Sequence, residues 1–292
     1  MPVIGVNTSG TLADSLPTVI QSARIVREFA GVMPRLVDRQ RLGTGEGMNW
    51  NEIALSQLTA QDITENTKLE NHQQLVDTLF SITPAQVGLS IKVTDRMKRK
   101  ISQNVAALIG SLGQRAMNTK KDKNLLAIGA SATTDLGTAN NPMTLGLISA
   151  ASSRITGNTT EPGVEQAKYF VGKSFHMKDL YDEITAGIGT YPIPAGLTEE
   201  TFRNGFKGSI MDVEAYIDDN ITVDASDDAI AMVFGKNAIV HVEAASPVTY
   251  TDRDNSYGGG AEVMYMYDEY ATGIRNQVWL YAVTADATAP TS

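Results

Sequence analysis

The first pattern along the chain is a helical one. Apolar residues from Val19 to Phe29 recur at helical spacing, and Asp14 stands before them as a suitable N-cap. Gly31 and Pro34 follow and favour an end to the helix there. The pattern predicts a helix at 14–30 whose other face is polar, so it must pack on some other surface.

The longest helical pattern begins at Asp95, which can cap it. Its apolar stripe comprises Ile101, Val105, Leu108, Ile109 and Leu112. If it continues through Leu126, the helix has about 30 residues and is about 45 Å long at 1.5 Å per residue. Gly110 and Gly113 predict either a bend or a close approach by another element.

Residues 39–88 alternate in the manner of strands. Leu79 and Ser81 share one parity while Phe80 and Ile82 share the other, and the segment between the two apolar runs is polar. The pattern predicts an extended hairpin arm. An arm of about 50 residues buries little surface by itself, so we expect it to be buried on a neighbouring molecule.

The second half of the chain mixes both periodicities. The predicted elements are a helix at 143–155, a strand at 166–175, a helix at 177–185, a loop at 186–196, a helix at 197–206 capped by Thr198, a strand at 208–221, short apolar runs at 227–243, and an all-β tail from Val248. The two returning strands, around 263–267 and 278–281, alternate as strands beside the long helix would. The fold class indicated is α+β.

Composition and charge narrow the functional classes. The chain has 292 residues, 42% of them hydrophobic, and no cysteine, which excludes disulfides and thiolate chemistry. No apolar run is long enough for a membrane span, and no signal peptide is evident. The net charge of −9 argues against a protein that coats nucleic acid. Residues 96–123 nevertheless hold eight basic residues and one acidic residue, a local charge of +7.

This charge asymmetry leaves −16 on the rest of the chain. It suits contacts between copies, or a basic element that faces an anionic content, although a solvated helix face gives the same pattern. If the basic stretch carries such contacts, changing Lys98, Arg99 and Lys100 to serine should alter assembly and its salt dependence.

Two glycine motifs are candidates for phosphate sites. Gly258, Gly259 and Gly260 precede a strand-like run without a following basic residue, which favours a flexible turn between strands. Gly172-Lys173-Ser174 matches the end of a phosphate loop, but Ala167 stands where the first glycine is required. The strand pattern before it also leaves no room for the loop.

Metal and catalytic motifs are incomplete in the same way. Asp252, Asp254 and Ser256 begin like a calcium loop, but Val263 occupies the place of its bidentate glutamate. His241 and Glu243 resemble half of a zinc-deaminase motif whose cysteines are absent. The three histidines lie in separate segments, and no carboxylate pair stands out. We therefore predict no catalytic, cofactor-binding or metal-binding residue and no cofactor.

The order of elements resembles the major capsid proteins of tailed bacteriophages, which have the Hong Kong 97-like fold. The resemblance covers nearly the whole chain and is carried by LSIKVTDRMKRKISQNVAALIGSLGQRAM, KYFVGKSFHMKDLYDEI, GFKGSIMDVEAYIDDNI and the ending from AMVFGKNAIVHVE to VWLYAV. It implies an N-terminal arm at 1–38 and an extended hairpin arm at 39–88. A peripheral domain with a long spine helix would comprise 89–140 and 247–292, and a mixed α/β axial domain 141–246.

The same resemblance implies the function of a shell protein. Pentamers and hexamers of the chain would form an icosahedral shell around double-stranded DNA, which it would contact non-specifically from inside. Scaffolding, portal and decoration proteins are expected as separate partners, since no scaffolding segment is evident. The location would be the virion, after synthesis in the host bacterial cytoplasm. Some members cross-link through an arm lysine; here Lys68 is the one candidate, and we predict no cross-link.

Three alternatives remain open. An encapsulin-like nanocompartment shell would share the fold and enclose cargo protein instead of a genome. A soluble α+β hydrolase using carboxylates would be a small oligomer whose 40–90 segment folds over a pocket. A small-ligand binding module would be a compact monomer, which the extended arms argue against.

Overall fold

The structure is a computed structural model that describes residues 6–7, 31–100 without 44, 61, 63, 64 and 66–71, 103–187 without 160 and 164, and 209–290 without 211 and 257. The predicted helices at 14–30 and 197–206 lie outside the described residues, as does Lys68, the candidate for a cross-link. The predicted loop at 186–196 lies outside them from residue 188 onward.

The helices are α1 (Met33–Leu36), α2 (Asp95–Lys100), α3 (Gln103–Gly129), α4 (Leu145–Thr156) and α5 (Ser174–Gly187). The strands are β1 (Val6–Asn7), β2 (Asp38–Arg41), β3 (Trp50–Leu55), β4 (Asp77–Ile82), β5 (Ala85–Thr94), β6 (Lys168–Gly172), β7 (Ser209–Ile210), β8 (Val213–Ile217), β9 (Asp228–Gly235), β10 (Ile239–Asp254), β11 (Ala261–Ile274) and β12 (Leu280–Asp286). The predicted helices at 143–155 and 177–185 are confirmed as α4 and α5. The strand predicted at 166–175 is confirmed as β6 over Lys168–Gly172, but it is wrong at Ser174 and Phe175, which belong to α5.

The predicted long helix is present as α2 and α3. It begins at Asp95, as expected, and α3 alone has 27 residues and ends at Gly129. Residues 101 and 102, between α2 and α3, lie outside the described residues, and so do the side chains of Val105 and Leu108. The predicted apolar stripe can therefore be compared with the structure only from Ile109 onward.

Three predicted strands have different bounds in the structure. The strand predicted at 208–221 divides into β7 and β8, which pair antiparallel across a turn at Asp212, where φ is +66°. The all-β tail begins at Ile239 instead of Val248. The second half of the predicted hairpin is two strands, because Thr83 and Pro84 separate β4 from β5 and the two join different sheets.

The first sheet has the strand order β1-β5-β11-β10-β2 within the described residues. Its centre is antiparallel: β11 pairs with β10 over most of its length and with β5 from Ala261 to Tyr270. The short edge strands are parallel to their neighbours, β1 to β5 and β2 to β10. The β-branched and aromatic residues of β11 suit a half-buried pleated surface.

The second sheet has the order β12-β9-β6-β8-β7 in the described part of the chain. Its strand β9 is apolar at nearly every position because helices cover both faces of the sheet. Ile148 of α4 and Leu180 of α5 pack on one face, and Met33 of α1 and Leu125 of α3 pack on the other. The returning strands β11 and β12 therefore lie in two different sheets, and both sheets contact α3.

Glycine admits close packing between α3 and the first sheet. A Cβ atom on Gly113 would lie 2.7 Å from the sulfur of Met266, whereas Gly110 faces open space. The prediction of close approach is thus confirmed at Gly113. The predicted apolar stripe is wrong at Leu112, which is 41% exposed, because the helix turns Met117 and Leu125 toward the sheets instead.

Among the described residues, no helix combines the length and the apolar character that a membrane crossing requires. The predicted domain bounds stay a prediction, since the two sheets do not by themselves fix where one domain ends.

Candidate functional site

The glycine triplet forms a turn between two antiparallel strands, as predicted. Gly259 and Gly260 have φ values of +96° and +84°, a left-handed backbone that glycine adopts without strain. They connect β10 to β11, and the carbonyl oxygen of Gly260 accepts a hydrogen bond from the backbone N–H of Asp95 at 2.9 Å. The triplet therefore links the sheet to the start of α2.

The donors of the Gly172-Lys173-Ser174 motif form hydrogen bonds with other groups of the protein. Lys173 Nζ donates to the carbonyl oxygens of Asp219 at 3.3 Å and Ile221 at 3.2 Å. The backbone N–H of Ser174, at the start of α5, donates to the Asp219 carboxylate at 3.0 Å. Strand β6 ends at Gly172 and α5 begins at Ser174, so the strand leads almost directly into the helix.

The turn at Asp252, Asp254 and Ser256, which begins like a calcium loop, is held by bonds within the protein. Asp254 forms a salt bridge with Lys92 at 2.5 Å. It also accepts hydrogen bonds from the backbone N–H and the hydroxyl of Ser256. The hydrogen bond from Lys92 has the largest effect and those from Ser256 add to it. Together they lower the pKa of Asp254 to about 2. In the described part of the chain, no group of three or more histidine and carboxylate side chains is placed to hold a metal ion.

The clearest surface feature is the hairpin formed by β3 and β4. Its register pairs Trp50 with Ile82 at the base and Leu55 with Asp77 farther out. Pairing continues beyond the strands, because the backbone N–H of Ser56 donates to the carbonyl oxygen of Val76 at 2.9 Å. The extended hairpin predicted from the alternating pattern is thus present, with described pairing from residue 50 to 82.

The base of this hairpin is fixed to the first sheet. Trp50, Phe80 and Ile82 pack against Leu42, Val240 and Val242. The rings of Trp50 and Phe80 meet edge to face with centroids 6.2 Å apart. A Cβ atom on Gly273 of β11 would lie 3.0 Å from Ile82 and 3.1 Å from Phe80, so this glycine lets β4 lie close to the sheet.

The rest of the hairpin is exposed and apolar. Eight large hydrophobic side chains are more than half exposed among the described residues, and seven of them lie between residues 48 and 79. These seven are Met48, Ile53, Leu55, Leu58, Leu75, Val76 and Leu79. Because a large exposed apolar patch on a monomer usually marks an interaction surface, the hairpin is suited to contact with another molecule.

Arg275 connects the hairpin base to the first sheet. Its guanidinium donates to the carboxylates of Glu52 and Asp38, each at 2.7 Å, and lies over the ring of Trp50 at 5.9 Å. Burial alone raises the pKa of Asp38, but hydrogen bonds from Gln40 and Arg275 outweigh it and the net shift is downward. One side chain thus holds β2, β3 and the end of β11 together.

Changing Arg275 to methionine should lower the free energy of unfolding by on the order of 1–2 kcal/mol, because two partly exposed carboxylates lose their donor. Chemical denaturation followed by tryptophan fluorescence measures this, since Trp50 lies beside the guanidinium. Arg253→Met is the matched control: its side chain is 63% exposed and pairs with Asp95, so its effect should be within about 0.5 kcal/mol. Equal midpoints for the two variants would contradict the assigned role of Arg275.

A buried ion network joins α3 to the first sheet. Lys121 is 7% exposed, and its Nζ lies 2.7 Å from the Asp268 carboxylate and 3.1 Å from that of Glu243. Burial raises the pKa of Glu243, but the hydrogen bond and charge of Lys121 outweigh it and the net shift is downward. Burial lowers the pKa of the adjacent His241.

The predicted basic face of the long helix is only partly confirmed. Lys121 turns inward because it follows Met117 by four residues, and Lys98 pairs with Glu262. Five other basic side chains of the stretch are exposed on α2 and α3. They are Arg96, Arg99, Arg115, Lys120 and Lys123. Sequence reasoning missed the roles of Arg275 and Lys121, since their partners are distant along the chain and carry no local signal.

Comparison with known proteins reveals a likeness of fold. Neither a protein-family model nor a curated protein sequence matches the chain. The capsid of cyanophage Pam1 is similar with a TM-score of 0.72 and 12% identity, over 99% of this chain and 100% of that one. The capsid of cyanophage P-SCSP1u has a TM-score of 0.70 and 12% identity, over 94% and 93%.

An encapsulin is also similar in structure. The holo-SrpI encapsulin complex of Synechococcus elongatus has a TM-score of 0.62 and 10% identity, over 93% of this chain and 95% of that one. Together these likenesses confirm the predicted α+β, Hong Kong 97-like fold.

Proposed function

We propose that this chain is the major capsid protein of a tailed bacteriophage and assembles through pentamers and hexamers into an icosahedral shell around double-stranded DNA. The observation that carries the proposal is the β3–β4 hairpin, which is packed at its base and apolar and exposed beyond it. The described residues of a single chain leave this surface exposed, whereas copies arranged around symmetry axes can bury it on one another.

The likeness in fold to phage capsids supports this function over nearly the whole chain. Burying each valine, leucine or isoleucine side chain of the hairpin contributes roughly 1.5–3 kcal/mol relative to leaving it exposed. Several such side chains per subunit suffice to make contacts between copies favourable. No catalytic or cofactor role is part of this function.

A shell role also implies further partners. The exposed basic side chains of Arg115, Lys120 and Lys123 on α3 are suited to non-specific contact with the phosphates of packaged DNA. Scaffolding, portal and decoration proteins would be separate partners. The chain would be made in the host bacterial cytoplasm and reside in the virion, with the domain bounds given by the sequence resemblance.

An encapsulin-like nanocompartment shell is the second candidate, favoured by the likeness to the encapsulin of Synechococcus elongatus. Its TM-score of 0.62 is below the 0.72 of the Pam1 capsid. The same hairpin would then join subunits around cargo protein instead of DNA.

Negative-stain microscopy with light scattering on the purified full chain, alone and from infected or co-expressing cells, tests both candidates. Closed shells or pentamer and hexamer capsomers are the expected result. Nuclease-protected DNA inside the particles supports the capsid, and an enclosed enzyme supports the nanocompartment. A monomer or dimer under every condition would overturn both and favour the carboxylate hydrolase.

A further inference from the structure

Two buried aspartates bind the backbone at residues 32 and 33, near the start of the described range 31–100. Asp122 comes from α3 and is 1% exposed, while Asp218 follows β8 and is 0% exposed. The Asp122 carboxylate accepts the backbone N–H of Met33 at 3.1 Å, and that of Asp218 accepts the backbone N–H of Val32 at 3.0 Å. Two carboxyl groups from distant parts of the chain thus bind consecutive backbone amides.

The two carboxyl groups also share one donor residue. Asn220 bonds to both, through its side chain to Asp122 at 2.8 Å and through its backbone N–H to Asp218 at 3.0 Å. The chain passes in direct contact with the pair, since a Cβ atom on Gly31 would overlap the Asp122 carboxyl group.

Among the described residues, no cation forms an ion pair with either carboxyl group. The other titratable groups on the elements that meet here are Arg35 on α1, Lys121 and Lys123 on α3, Tyr169 on β6, Tyr216 on β8, Asp219 in the following turn, Lys173 before α5 and His176 on it. Lys121 is paired with Glu243 and Asp268, and Lys173 donates to the carbonyl oxygen of Asp219. Arg35 and Lys123 are exposed.

A buried carboxyl group close to a second carboxylate ionises only at a large electrostatic cost. Burial, followed by the charge of Asp218, raises the pKa of Asp122 to about 7, although bonds from Asn220 and Met33 oppose this shift. The closed pair therefore keeps a proton that a solvated aspartate, with an ordinary pKa of 3.8, would release.

We propose that Asp122 and Asp218 form a proton-operated clamp on residues 31–33, closed while Asp122 holds a proton and loosened when Asp122 ionises. Because the pKa is raised in the closed state, the clamp is strongest in acid and weakens as the pH rises toward about 7. The clamp does not depend on whether the chain forms a shell.

Hydrogen–deuterium exchange of the full chain tests this at peptides covering residues 31–37. After correction for the intrinsic exchange rate, protection should fall about tenfold per pH unit between roughly pH 5 and 7 and then level off. Asp122→Asn should abolish this slope. Asp135→Asn is the matched control, because Asp135 is an exposed aspartate that accepts the backbone N–H of Gly137, and its slope should equal that of the unaltered chain.

A second measurement follows the proton on Asp122 directly. An infrared difference spectrum between pH 5 and pH 8 should show the loss of a protonated-carboxyl band, which Asp122→Asn or Asp218→Asn removes. Protection without a pH slope, the same slope in Asp122→Asn, or no carboxyl band above pH 5 would each overturn the clamp.

Discussion

Changing Ile53 and Leu79 together to aspartate should abolish assembly of the chain into shells and leave its fold intact. The two side chains belong to paired positions across the hairpin, and they are 60% and 63% exposed. Their burial on a neighbour would contribute roughly 3–6 kcal/mol per contact, which the aspartates remove while adding two charges that resist desolvation.

The fold should survive because neither side chain packs in the described core. Exposed substitutions away from special contacts change stability by about 0.5 kcal/mol or less. The two aspartates face each other across the strands, so their repulsion should weaken the pairing of the hairpin itself and not the core. Light scattering and negative-stain microscopy report assembly, and circular dichroism with thermal unfolding reports the fold. We expect monomers or small capsomers with a melting temperature close to that of the unaltered unassembled chain.

Ile53→Val with Leu79→Val is the matched control, since it keeps the surface apolar and should still form shells. Shells of normal size and yield from the aspartate variant would show that the hairpin does not carry the contacts between copies. Loss of both assembly and secondary structure would instead place these side chains in the fold itself.

The hairpin was predictable from the sequence because its signal is local. Alternation around Leu79 and Phe80 correctly separates the exposed face from the packed one, and the polar segment between the strands marks the arm. Which sheet the next strand joins is not a local property. Thr83 and Pro84 end β4, yet nothing in residues 85–94 indicates that they pair with β11 instead of continuing the arm.

The charged contacts were not predictable for a related reason. Lys121 stands in a strongly basic stretch, so its charge suggested an exposed face, whereas helical phase with Met117 and Leu125 turns it inward. Asp122 was the single acidic residue of that stretch and gave no sign of its partner, because Asp218 lies in another element. Pairing at long range depends on the folded geometry, which periodicity does not encode.

The buried network around Lys121 makes a second large effect testable. Lys121→Met should lower the free energy of unfolding by about 3–5 kcal/mol, because Asp268, 2% exposed, would be left as a buried charge without a partner. Denaturant unfolding of the unassembled chain, followed by circular dichroism, measures this loss. Lys120→Met is the matched control on the adjacent exposed position, and its effect should be within about 0.5 kcal/mol.

The pH dependence separates loss of this ion pair from loss of packing. The lowered pKa of Glu243 means that its contribution is present above its ordinary value of 4.5 and is lost as the pH falls below it. His241, with a pKa lowered from 6.5, adds to the loss of stability in acid. Lys121→Met removes the main charge that lowers the Glu243 pKa, so its stability should fall less steeply below pH 4.5 than that of the unaltered chain. An equal acid dependence in both proteins would mean that Lys121 stabilises the helix–sheet contact by packing alone.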